Sequence, residues 1–298
     1  MSLFQIFSDG AADIPNQVTK QYHISVIPFY VSLDQKIYQK ELVELPLSTF
    51  YQKMIEQNLF PKTSLPPVQD YIEAFTPALE AGKDIICFTI TDTLSGSFQS
   101  ATTAKQMLEE NYPQRKIYIE NSWAATGSQY LIVREAARMQ QAGYDIDAVH
   151  YYIQKAKADS RIFFMVGTLT HLEKGGRIGK VAALSGSILN IKPLIVLGNG
   201  EINKAGIARS RKKAMIKLSE LTAEYIQKNH FSVSDFTFTI GTTNTPEEAT
   251  PFSEILKSYL PDMEFIEPFQ IGATIATHTG PMTIGICMNK KFETYLSQ

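Results

Sequence analysis

The chain has 298 residues, 44% hydrophobic and 19% charged, which is ordinary globular composition at a length that favours two domains. Its 28 Lys+Arg and 30 Asp+Glu leave a net charge of −2, which argues against general nucleic-acid binding. The first residues lack the basic and apolar regions of a signal peptide, and no apolar run reaches the length of a membrane span. A cytoplasmic protein with no stable membrane insertion is therefore expected.

In chain order, residues 3–7 read as a strand ending at Ser8-Asp9-Gly10, residues 14–21 as a helix, and the β-branched, aromatic run 24–31 as a strand. Helical patterns over 47–57 and 68–81 precede a buried strand over 84–90, which holds Cys87. Ser95-Gly96-Ser97 opens a helix over 98–111, followed by a strand over 116–119 and a long helix over 124–142. This strand–helix alternation with short connections predicts a doubly wound, mostly parallel sheet. A ligand site in such a sheet lies at the carboxyl ends of the strands. Those ends are Ser8-Asp9-Gly10, residues 91–97 and Asn121-Ser122.

After a helix over 146–158 and a strand over 162–166, the pattern changes. Strands near 191–197, 201–207, 236–240 and 282–288 are less regularly separated by helices, and Asn199-Gly200 marks a hairpin. The last of these runs holds Cys287, so both cysteines are expected as buried free thiols. A helix over 211–228 places Ala214, Leu218, Leu221 and Tyr225 on one face. The expected division is an α/β domain over 1–158 and an α+β domain over 159–298.

The standard devices for nucleotide, dinucleotide and serine chemistry are missing. Gly175-Gly176-Arg177-Ile178-Gly179-Lys180-Val181 lacks P-loop spacing, and neither Gly-x-Gly-x-x-Gly nor Gly-x-Ser-x-Gly occurs. The five histidines show no metal-ligand spacing, so no metal is expected. What remains is a set of small polar segments. Thr63-Ser64-Leu65-Pro66-Pro67 presents two hydroxyls on a stiff stretch. Ser95 and Ser97 sit where a strand gives way to a helix, and Ala276-Thr277-His278-Thr279-Gly280-Pro281 reads as a Gly/Pro turn before a buried strand. Hydroxyls and free N–H groups at a helix start can bind an anion, although Ser95 or Ser97 equally fits an ordinary N-cap. Gly175-Gly176 fits either a close approach of a neighbouring group or the end of a short helix from Thr170. Lys204, Arg209, Arg211, Lys212, Lys213 and Lys217 form either a solvated basic face or a docking patch.

Taken together and in order, these segments resemble the DegV family, over essentially the whole chain. They are Ser8-Asp9-Gly10 to Pro15, Thr63-Ser64-x-Pro66, Ser95-Gly96-Ser97 to Ala101, Gly175-Gly176-Arg177-Ile178, Leu189-Asn190-Ile191-Lys192-Pro193 and His278-Thr279-Gly280-Pro281. Members of that family bind fatty acids and include the fatty-acid-binding subunit of bacterial fatty-acid kinase. The resemblance implies that Thr63, Ser95 and His278 hold a long-chain fatty-acid carboxyl, with Ser64, Ser97 and Thr279 beside them. It implies that Arg177 lies near the head group and that the tail fills an apolar tunnel between the domains. It also implies a separate ATP-binding kinase subunit that phosphorylates the bound carboxyl, with the fatty acid as ligand and no cofactor. Arg177, with Arg209 and Arg211, would then supply charge for phosphoryl transfer or docking. Pro67, Asn121, Ser128 and Tyr130 depart from the residues usual in the family, and the bulkier Trp123 and Tyr130 bear on the shape of the tunnel. Two other readings use the same residues. One is a self-contained kinase or hydrolase akin to dihydroxyacetone kinases, with Ser95 or His278 acting covalently. The other is a lipid carrier without a kinase partner.

Overall fold

The computed structural model describes residues 4–184 and 191–296, without the side chains of Leu184 and Leu296. Leu3, at the start of the first expected strand, and Leu189-Asn190 of the family pattern lie outside the described residues.

The first half runs β1 (Phe4–Asp9), α1 (Asn16–Tyr22), β2 (Ser25–Ile27), β3 (Tyr30–Ser32), β4 (Gln39–Lys40), α2 (Leu47–Glu56), β5 (Lys62–Ser64) and α3 (Val68–Glu80). It continues with β6 (Asp84–Thr89), α4 (Ser97–Asn111), β7 (Ile117–Asn121), α5 (Thr126–Gln141) and α6 (Ile146–Asp159). Four strands form an all-parallel sheet in the order β2-β1-β6-β7. Successive side chains of a strand point to opposite faces, so burying both faces requires apolar residues at every position. Phe4, Ile6, Ile86 and Phe88 pack with Ile132 of α5 and Val149 of α6, whereas Phe7, Ile85 and Cys87 pack with Phe75 of α3 and Ala104 of α4.

The expected strand over 24–31 is two strands. Pro28 has no N–H to give to a ladder, and the chain turns there. β2 stays in the parallel sheet, while β3 leaves to pair antiparallel with β4 and β5.

The second half runs β8 (Arg161–Met165), α7 (Thr170–Lys174), β9 (Lys192–Gly198), β10 (Glu201–Ala208), α8 (Arg211–Lys228), β11 (Phe236–Thr242) and α9 (Ala249–Tyr259). It ends with β12 (Glu264–Phe265), β13 (Phe269–Gln270), α10 (Ala273–Thr279), β14 (Ile284–Lys290) and α11 (Glu293–Leu296). Its sheet is mixed, in the order β10-β9-β8-β14-β11-β12, with β13 also on β11. Phe163, Met165, Leu194, Phe238 and Ile286 pack on Leu218 of α8 and Phe252 of α9. The alternate residues Ile162, Phe164, Ile195, Leu197 and Cys287 face the other way, toward the first half. The helices α9 and α10 are absent from the sequence-based expectation.

Two of the junctions between the halves shape the cavity's surroundings. Helix α5 touches β1 and β6 on one side and β8, β11 and β14 on the other, so it is buried almost along its length. Gly127 makes this close packing possible, because a Cβ there would lie 2.6 Å from the Phe269 ring and 2.7 Å from Cys287 Sγ. The second junction is the β9–β10 turn. Asn199 (φ 52°) and Gly200 (φ 81°) both take positive φ, as a two-residue hairpin requires. The Gly200 carbonyl accepts from the hydroxyls of Thr91, at 2.9 Å, and Thr93, and its N–H donates to the Trp123 carbonyl at 3.1 Å. The tip of the second sheet thus docks on the carboxyl edge of the first. Among the described residues, no helix is long and apolar enough to cross a membrane.

Candidate functional site

Between that carboxyl edge and the free face of the second sheet lies a cavity of about 270 Å³. Its body is apolar, with Ile162, Phe164, Leu197, Ile202, Phe269 and Cys287 among its walls. Thr63, Ser64, Ser95, Arg177, His278 and Thr279 also line it. These six come from four separate stretches of chain.

Thr63 sits in the middle of β5, opposite Val31, and the pleat turns it inward while Lys62 and Ser64 are more exposed. His278 lies in the last turn of α10 rather than in the Gly/Pro turn expected from the sequence. Gly280, at φ 81°, ends that helix, with its N–H bonded to the Ala276 carbonyl at 2.8 Å. His278 Nε2 is 2.8 Å from Thr63 Oγ1, which ties the two halves together at the cavity. Its other ring nitrogen, Nδ1, is buried without a hydrogen-bond partner among the described residues. Burial, and then the neighbouring Arg177 and His171, push the imidazole down to about 4, so it is neutral at neutral pH.

The glycine pair combines both roles considered for it. Gly175 caps α7, and a Cβ on it would overlap His278 Nδ1, so the residue is also the point of close approach to the histidine. Arg177 then crosses to the strand–helix turn. Its Nε donates to the Leu94 carbonyl at 3.1 Å and its Nη1 to the Gly175 carbonyl at 2.7 Å. Ser95 Oγ accepts from the Ser97 N–H at 3.2 Å, and Thr279 Oγ1 donates to the Ile275 carbonyl at 3.1 Å.

Three of the expected site residues lie elsewhere. Ser97 does not line the cavity; its buried hydroxyl donates to Asp9 Oδ2 at 2.6 Å and bonds the Tyr71 hydroxyl at 2.7 Å. Asp9 also accepts from the Ile90 N–H, so Ser97 orders the edge of the parallel sheet. Burial raises the Asp9 carboxyl to about 6 against these hydrogen bonds. Arg211 is paired with Glu248 and donates to the Met282 carbonyl at 2.8 Å. Arg209 lines a separate groove with Lys213 and Lys217. Neither Trp123 nor Tyr130 lines the cavity, although Tyr130 stands edge-on to the lining ring of Phe269.

The sequence reading passed over His171 of α7. Its Nδ1 is 3.3 Å from the Thr277 carbonyl and its ring lies against Phe60, whose other neighbour is the Lys174 ammonium, 3.5 Å from the ring centre. Its position four residues before Gly175 was the available signal.

Comparison with known proteins identifies the family of the whole chain. Residues 3–291 match the DegV family, described as an uncharacterised protein family. A DegV domain-containing protein from Clostridium perfringens is 30% identical over 288 residues, covering 96% of this chain and 97% of its own. The solved stearic-acid-binding protein from Eubacterium ventriosum superimposes with a TM-score of 0.93 at 34% identity, over 98% of this chain and 99% of that one. DegV from Bacillus subtilis, a fatty-acid-binding protein, gives a TM-score of 0.84 at 28% identity, over 98% and 100% of the two chains. With fold, extent and sequence in agreement, the chain belongs to the DegV family.

Proposed function

We propose that this protein binds one long-chain fatty acid, with the carboxyl at Thr63, Ser95 and His278 and the tail along the apolar walls. The observation that carries the reading is an apolar cavity between two sheets with a hydroxyl–imidazole pair on its wall. About fourteen buried methylenes contribute roughly 11 kcal/mol gross, before ordering costs. A carboxylate is costly to bury unpaired, and hydroxyl donors satisfy it. A carboxylate beside His278 also favours the charged imidazole, so ligand binding is expected to draw a proton onto it. Ser64 and Thr279 add hydroxyls nearby, and Ser97 contributes through the start of α4. The relatives from Eubacterium ventriosum and Bacillus subtilis, both fatty-acid binders, support this reading. The test is mass spectrometry of lipid extracted from freshly purified protein, with stearic-acid affinity measured alongside. The absence of both copurified lipid and measurable binding would overturn it.

In this reading the protein holds the substrate for a separate ATP-binding kinase, which phosphorylates the carboxyl in place. The sequence offers no P-loop of its own. A covalent role for His278 would call for an orienting acid, and Nδ1 has no partner among the described residues. Arg177 lies on the cavity wall near His278, where a guanidinium can hold phosphate oxygens, and Arg209 with Lys213 and Lys217 offers a basic docking face. Arg211, already paired with Glu248, is the weaker of the docking residues. Coupled acyl-phosphate formation should fall in Arg177→Ala and Arg209→Ala while fatty-acid affinity stays near wild type. Unaltered turnover in both across a salt series would remove the docking role. Failure to capture an ATP-binding partner would favour a lipid carrier.

A further inference from the structure

Two carboxyls meet just before α10, outside the head-group site: Glu41 is buried, and Asp13 is half-buried with its Oδ1 shielded from solvent. Asp13 follows the short turn after β1, at φ 52°, and Glu41 follows β4. A Cβ placed on Gly272 would overlap Asp13 Oδ1 and lie 2.6 Å from Glu41 Oε1, so both carboxyls face the Gly272 backbone from the same side. Glu41 accepts from the Thr274 N–H at 3.1 Å and from the Thr274 hydroxyl. Thr126 donates to Asp13 Oδ2 at 2.6 Å, and the Tyr51 hydroxyl donates to the Ile271 carbonyl at 2.7 Å. Side chains of the first half therefore grip the start of α10, while its last turn presents His278 to the cavity.

Asp13 Oδ1 is buried and lacks a hydrogen-bond partner among the described residues. Neither carboxyl has an ion-pair partner among them. The titratable groups facing the pair are Asp9 at the end of β1, Tyr51 of α2 and Cys287 of β14, and none is a cation. Burial, and then Glu41, hold the Asp13 carboxyl well above the usual range, and burial raises Glu41 as well. Two carboxylates this close in a dry site resist joint ionisation. A proton on Asp13 Oδ1 supplies the missing donor and gives Glu41 Oε1 a further partner. A bound cation answers less well, because Thr126, the Thr274 hydroxyl and the Thr274 N–H already direct donors at Asp13 Oδ2, Glu41 Oε2 and Glu41 Oε1.

We propose that Asp13 and Glu41 are positioning residues for His278: they share one proton, and this acid pair fixes the first turn of α10. The consequence for fatty-acid binding rests on the function proposed above; the latch does not. A carboxyl whose pKa is raised on folding stabilises the folded form fully below its unfolded value. That stabilisation is lost as pH rises through the folded value, so the latch loosens toward alkaline pH. His278, lowered rather than raised, acts at the acid end, and the two limbs are separable.

The experiment is hydrogen exchange of the α10 amides in the ligand-free, full-length protein, corrected for intrinsic rates. Wild type should lose protection by about tenfold as pH is raised from the acid into the alkaline range. Asp13→Asn and Glu41→Gln, whose amides replace the shared proton with a permanent donor, should keep it. Stearic-acid affinity should fall over the same interval in wild type and hold in both variants. The same alkaline loss in both variants, or none in wild type, would overturn the proposal. Protection that rises with added NaCl or MgCl2 at constant pH would overturn it in favour of a cation. If stearic acid fails to bind at any pH, the exchange result still decides the latch, so the two readings fail separately.

Discussion

The two sheets use the same alternation of apolar side chains for different ends. In the parallel sheet, Phe88 of β6 points to α5 and α6 while Cys87 points to α3 and α4, and helices close both faces. In the mixed sheet, Phe163 of β8 points to α8, whereas its neighbour Phe164 points into the cavity. Both Phe88 and Phe164 are buried, yet one is held on all sides by protein and the other borders space for a ligand. Burial alone does not separate a core from a binding wall; what covers the face does.

Phe88→Ala should therefore produce the largest loss, about 3–5 kcal/mol of unfolding free energy in urea denaturation. Phe164→Ala should cost clearly less in the ligand-free protein and should shift chain-length preference in a fatty-acid competition series. Equal losses from the two would break the comparison. Gly127→Val tests the junction, since its side chain must displace the Phe269 ring or Cys287. About 1–3 kcal/mol of destabilisation is expected, with weaker fatty-acid binding.

A third prediction sharpens the contrast through pH. The unfolded chain protonates His278 near 6.5, whereas the folded protein resists until about 4. The unfolded state thus binds more protons in that interval, and stability falls as pH drops through it. His278→Gln should flatten this part of the melting-temperature profile, and an unchanged profile would exclude His278 as its source. The smallest expected effect belongs to Thr63→Val. It removes one hydroxyl from the imidazole and the proposed carboxyl, about 1 kcal/mol or several-fold in affinity by titration calorimetry. Little loss of stability should accompany it.

The same contrast explains what could be read from the sequence. The parallel half was legible because its strands and helices alternate locally and each turn falls on the same edge. Its main error came from Pro28, where one apolar run serves two sheets. The mixed half was less legible because its pairings are distant: β14 lies between β8 and β11, with more than a hundred residues separating it from β8 along the chain. Helix α10 was hidden for another reason. Ala273-Thr-Ile-Ala-Thr-His-Thr279 is rich in β-branched residues that favour strands, and Glu41, far away in sequence, holds its first turn. Thr63, Ser95 and His278 could be singled out as polar residues in turn-like segments, and the resemblance gave them their roles. The place of Ser97 could not be read, because its partners Asp9 and Tyr71 come together only in the folded chain.

The position of β14 also sets an order of assembly. The parallel sheet takes its strands from residues 4–121, so it can form while later residues are still being synthesised. The mixed sheet cannot join β8 to β11 until residues 284–290 arrive between them, antiparallel to both. Until then β8 lacks its β14 neighbour, and the part of the cavity wall supplied by Gly285 and Cys287 is missing. The nascent chain thus passes through a stage in which one sheet is complete and the other lacks a central strand. That interval is when the protein is most prone to aggregate, and when a free amphiphile or a chaperone would find it most accessible.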